Sequence, residues 1–222
     1  MPDATQRPSP FQFLAVAQLT RIGNDVVETL HDLHRGLDRC SDASLFFHLV
    51  QSPRTRRTMS DGCGNDIGHW VLESAHCSEL AEQLGAVDLR DYDAIADLRM
   101  DVRRLVGDYC LAHQRVADQP AGDRFWFCEQ AAVASPSGVT ATSLATWTHG
   151  VERTSRESFA FHFVSSRLRL GLRTNDFSLW IDRELGLPDL AARLHQIDVS
   201  AQSIDSARAD LLRLVAAEGA RS

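Results

Sequence analysis

"SFAFHFVSSRLRLGLRTNDFSLW", residues 158–180, decides how this chain is read, because "SLFFHLVQSPRTRRTMSDGCGNDIGHW", residues 44–70, runs through the same order earlier. Both stretches give a serine, aromatics, a histidine, arginines, Asn-Asp and a tryptophan. Working outward, Phe11 and Phe13 match Phe125 and Phe127, Leu30 matches Leu144, Gly36 matches Gly150, Ser44 matches Ser158 and His48 matches His162, and their common offset, 125 minus 11, is 114. Past the histidine the offset becomes 110 (175 minus 65), pairing Asn65, Asp66, Trp70, Leu80 and Leu84 with Asn175, Asp176, Trp180, Leu190 and Leu194. Matches in one order across a single deletion are the signature of an internal repeat. They predict two tandem copies, 11–112 and 124–222, joined by a linker over 113–123 that carries Pro120 and Gly122, behind a polar tail over 1–10.

Periodicity inside each copy is helical. Val26, Leu30, Leu33 and Leu37 fall at spacings of four, three and four, the apolar stripe of an amphipathic helix, with Gly36 near its end. "DYDAIADLRMDVRRLVGDY" and "SIDSARADLLRLVAAEG" read as closing amphipathic helices, and Pro188 suits a first helical turn. In "SFAFHFV" the phenylalanines alternate as in a half-buried strand, but "SLFFHLV" has no such alternation, so helix is the favoured reading of both. The expected fold is mainly all-α, a tandem duplication of a helical module of roughly 100 residues with the copies packed pseudo-symmetrically.

Composition narrows the function classes. The chain has 222 residues and is 44% hydrophobic, enough for a substantial core, and its formal charge of -7 opposes general binding to nucleic acid. No run approaches the roughly 20 apolar residues of a membrane span. The start, "MPDATQRPSP", does not read as a signal peptide, so a soluble, cytoplasmic protein is expected. Five cysteines without a Cys-x-x-Cys pair suggest reduced, mostly buried thiols.

The polar residues that recur are the candidate site. Ser44, His48 and Ser52, like Ser158, His162 and Ser166, are spaced by four and share one side of either a helix or a strand. Such a histidine either bonds within the core, sits on a solvated face, or lines a cleft. The arginines that follow, Arg54 and Arg167 among them, carry the planar fork that pairs with carboxylates and phosphates. Asn65-Asp66 and Asn175-Asp176 suit helix N-caps, and Trp70 and Trp180, one turn on, suit core anchors. Alternatively, His, Asn, Asp and Trp of each copy hold a polar ligand. The zinc-type residues Cys63, His69, His76 and Cys77 have no familiar ligand spacing, and no nucleotide-binding, hydrolase or zinc-protease motif is present.

The order Phe46-Phe47-His48, then Asn65-Asp66 and Trp70, with Phe161-His162, Asn175-Asp176-Phe177 and Trp180 in the second copy, resembles the uncharacterised bacterial family DUF5752. The resemblance implies a small, largely helical module and no activity to carry over. The residues together predict a non-enzymatic binding, regulatory or scaffolding module for a partner protein or a small polar, even anionic, ligand. Its candidate ligand-binding residues are His48, Asn65, Asp66, Trp70, His162, Asn175, Asp176, Trp180, Arg54 and Arg167, with no catalytic or metal-ligating residue and no cofactor. Homo-oligomerisation is compatible with it. The alternative is a hydrolase or transferase with a His/Asp site, metal-assisted or not, where the two copies meet.

Overall fold

A computed structural model describes residues 8–52, 64–199 and 202–219. The expectation of a mainly all-α chain built as a tandem helical duplication is corrected by it: the chain is 60% helical but α+β, with a two-stranded antiparallel sheet. The strands are β1, Phe11–Val27, and β2, Phe125–Ala141, each 17 residues long. Neither was legible as a strand because, after their first residues, most of their side chains are exposed. A ribbon that does not bury one face leaves no strict alternation to read. Pro136 and the positive φ of Gly138 inside β2 further disguise it, and both are tolerated because a two-stranded sheet consists of edge strands alone.

The chain divides into two compact units that are not its two sequence halves. Unit I draws on residues 1–18, 132–170 and 174–222, and unit II on 19–131 and 171–173. Each strand therefore begins in one unit and ends in the other. The helices of the second half are joined in unit I by the start of β1, and those of the first half are joined in unit II by the start of β2.

In unit II, Thr29 opens α1 (Leu30–Arg39) with a capping box closed by Asp32, and Leu30, Leu33 and Leu37 are buried, whereas Val26, expected on the same stripe, lies in β1 and is 42% exposed. Next come α2 (Asp42–Phe46), which continues into a π-helical turn over Phe47–Gln51, α3 (Asp66–Glu73), α4 (Ser78–Gly85), α5 (Ile95–Ala112) and the short α6 (Gln114–Ala117). Leu98, Val102, Val106 and Cys110 bury one stripe of α5, whose four-residue spacing turns that face inward, and α1 packs on α5 as α3 does on α4.

In unit I the helices are α7 (Leu144–Arg153), α8 (Arg156–Ala160) with a π-helical turn over Phe161–Ser165, α9 (Arg167–Leu170), α10 (Asp176–Leu185), α11 (Pro188–His195) and α12 (Ile204–Gly219). Ser143 and Thr146 form the capping box of α7, and Gly186 ends α10 at φ 64°, a left-handed conformation that favours glycine. The core gathers Trp147, Phe159, Phe163 and Phe177, all buried. Burying a large apolar side chain stabilises by about 1.5–3 kcal/mol, so these side chains, with the stripe of α12 formed by Ile204, Ala207, Leu211 and Val215, dominate the packing. No described helix is long and apolar enough to cross a membrane.

Candidate functional site

The Phe-His stretches are helical, as favoured from sequence, and both histidines fall in the π-helical turns. His48 is 3% exposed and His162 2%. In unit II, His48 Nδ1 lies 3.1 Å from Asp66 Oδ2, while its Nε2 accepts the backbone N–H of Cys128 at 2.7 Å. In unit I, His162 Nδ1 lies 2.9 Å from Asp176 Oδ2, and its Nε2 accepts the backbone N–H of Leu14 at 3.1 Å. A ring nitrogen that accepts an N–H carries no proton, so the geometry assigns the proton to Nδ1, which donates it to the aspartate. Each imidazole is thereby spent at both ends: one joins it to the next helix of its own unit, the other to the incoming strand.

The remaining repeated residues serve the same junction. Asn65 caps α3, accepting from Gly68 N at 2.8 Å and donating to the Leu84 carbonyl at 2.8 Å. Asn175 caps α10, accepting from Ser178 N at 3.0 Å. These caps start the helices at Asp66 and Asp176, which brings the two carboxylates to the histidines. Trp70 Nε1 donates to the Asp123 carbonyl at 2.8 Å, and Trp180 Nε1 to the Ser9 carbonyl at 2.7 Å, so each indole holds the residues leading into a strand. Ser166 Oγ donates to the His162 carbonyl at 2.5 Å and accepts Asp176 N at 3.2 Å, fixing the π turn against α10.

Aromatic rings complete each junction. Phe11 packs edge-on to His162 with centroids 5.1 Å apart, and it also meets Phe177 at 5.4 Å and Trp180 at 5.8 Å. Phe125 lies 4.6 Å from His48 and 5.9 Å from Trp70. Phe13 and Phe127 seat on glycines: a Cβ on Gly150 would lie 2.3 Å from Phe13 Cε2, and one on Gly36 would lie 2.2 Å from Phe127 Cε2. These phenylalanines and the peptide groups of Leu14 and Cys128 were not singled out from sequence as site residues. The signal was present, since Phe-x-Phe opens each strand with period two at the same offset as the histidines.

The arginines part company. Arg54 lies outside the described residues. Arg167 is 1% exposed rather than poised for an external anion: its Nε donates to the Phe163 carbonyl at 3.2 Å and its guanidinium lies 5.5 Å over the Phe163 ring. Burial lowers its pKa to about 10, against the opposing attraction of Asp198. The same burial lowers the pKa of His195, with Arg167 adding to the effect, and His195 Nε2 sits 2.7 Å from Ser178 Oγ. Asp176 also pairs with Arg169 on the surface. Among the described residues, no group of three His, Cys, Asp or Glu side chains is arranged to hold a metal ion.

Unit I also contains an open cleft of about 750 Å³ beside the Phe13 junction, lined by Phe13, Ala15, Val139, His149, Arg153 and Ser155 among others. In unit II, Glu129 Oε2 accepts from Ser41 Oγ at 2.7 Å and Oε1 pairs with Arg21. The Ser41 hydroxyl and then Arg21 hold the Glu129 carboxyl below its ordinary pKa.

A family model described as a family of unknown function, DUF5752, matches residues 8–216. OrfY from Thermoproteus tenax, a solved structure, superposes with a TM-score of 0.79 at 23% sequence identity, covering 96% of this chain and 97% of that one. That likeness concerns the fold alone. A comparison with curated proteins found no match.

Proposed function

The chain belongs to the DUF5752 family, whose function is unknown, and we propose that it is a soluble, cytoplasmic, non-enzymatic binding module with a regulatory or scaffolding role. It recognises a partner protein or a small polar ligand. The observation that carries this reading is that Nε2 of both histidines accepts a backbone N–H while Nδ1 faces an aspartate. A general base needs a free nitrogen within reach of a substrate proton. Here the most catalytic-looking residues are occupied in anchoring strands.

The surface offered to a partner is the ribbon. In unit II it exposes Leu19 at 70% and Ile22 at 67%, and in unit I it exposes Val133 at 71%. Exposed apolar side chains on an edge strand favour an extended segment of another protein, which adds backbone hydrogen bonds along the edge. The test is affinity capture from lysate of the source cell with wild type and with Leu19→Asp/Ile22→Asp, whose fold is checked by circular dichroism. A partner retained by the wild type and lost with the folded variant supports the ribbon. Equal recovery with both counts against it.

A further inference from the structure

We propose that the cleft of unit I binds the carboxylate of a small organic acid with an apolar body. This rests on reading the chain as a binding module and names the chemistry of one of its sites. In unit II, Ser41 caps α2 by accepting from Ser44 N at 3.0 Å, and its hydroxyl proton goes to Glu129. Ser155 stands at the corresponding place in unit I, capping α8 by accepting from Ser158 N at 3.1 Å. The strand residue that corresponds to Glu129 is Ala15, 114 positions earlier, which has no side chain to reach the serine. Where unit II supplies a carboxylate of its own, unit I has a cleft of about 750 Å³, within the range of small-molecule sites.

The charge of the cleft agrees. Arg153 lines it and no Asp or Glu does, although the chain as a whole carries a formal charge of -7, and the His149 ring beside it lies 3.8 Å from Glu152 Oε2 outside the lining. Arg153 is exposed, and no ion pair ties it up among the described residues. Phe13, Ala15 and Val139 supply the apolar wall. Ser155 Oγ donates to one carboxylate oxygen, and Arg153 takes the role that Arg21 plays toward Glu129, pairing with the negative charge.

The test is isothermal titration of the full chain with a panel of short aliphatic and aryl carboxylic acids, each beside its primary amide. At least one acid binds the wild type, and its amide binds about tenfold or more weakly, the loss of one charge-assisted contact. Arg153→Gln weakens the acid by a similar factor, while Ala15→Glu, which fills the cleft from within, abolishes measurable binding. If no acid binds, if acid and amide bind alike, or if both variants titrate as the wild type does, the proposal is overturned. A capped peptide with one glutamate is the last arm. Its binding in the absence of any free-acid binding overturns the assignment to a small acid. The capture experiment reads Leu19 and Ile22, which do not line the cleft, so failure of one experiment is separable from failure of the other.

Discussion

Replacing His48 with alanine removes one hydrogen bond from each of two groups at once. The Cys128 N–H loses its acceptor at 2.7 Å and Asp66 Oδ2 loses a donor at 3.1 Å, where the His48 and Asp66 side chains are only 4% and 2% exposed. A buried group deprived of its partner costs about 1–3 kcal/mol, and more when it is charged. Two such groups, partly relieved by water entering the space left by the ring, should loosen the junction by about 3 kcal/mol. That corresponds to roughly a hundredfold increase in opening. Amide hydrogen exchange reads it directly: exchange at Cys128 accelerates by about that factor, while Leu14, held by His162 in unit I, serves as the reference. His162→Ala reverses the pattern. His48→Gln, which presents a carbonyl oxygen toward Cys128 N–H, recovers part of the protection. Unchanged exchange at Cys128 in His48→Ala, in a protein that remains folded, would refute the anchoring role.

Further outcomes follow from individual contacts. Gly36→Ala and Gly150→Ala each set a methyl against a phenylalanine ring, at 2.2 and 2.3 Å, and should each cost about 1–3 kcal/mol in urea unfolding through overpacking. Ser44 Oγ is buried without a hydrogen-bond partner, whereas Ser158 Oγ accepts from Thr154 Oγ1 at 2.7 Å; Ser44→Ala should therefore be neutral or slightly stabilising, and Ser158→Ala should lose about 1 kcal/mol. Glu129 has a folded pKa below its ordinary 4.5, so its contribution is present above that pH and lost as the pH falls through the folded value. The stability difference between wild type and Glu129→Gln should accordingly shrink on acidification below 4.5. A difference that does not change with pH would contradict the Ser41 and Arg21 contacts.

His48, Asn65, Asp66 and Trp70, with His162, Asn175, Asp176 and Trp180, could be picked out as a set from sequence because they recur in order. The helix caps at Asn65 and Asn175 were equally accessible, since capping is decided within a few residues. The strands were not. Phe11 and Phe13 mark only the start of β1; the burial alternation weakens and changes phase at Leu14, Val16 and Gln18, and from Leu19 to Val26 every residue is exposed.

The helical stripes from Leu30 onward and the caps were readable from the chain alone because each depends on residues within a turn or two of one another, and the recurring histidine, aspartate and tryptophan were readable because their order repeats. What those residues hold was settled by folding. His48 is 80 positions from Cys128 and His162 is 148 from Leu14. Local propensity contains no term for an N–H that arrives from so distant a strand. The partners are chosen when the start of each strand is buried: its peptide N–H must find an acceptor there, and the imidazole supplies it.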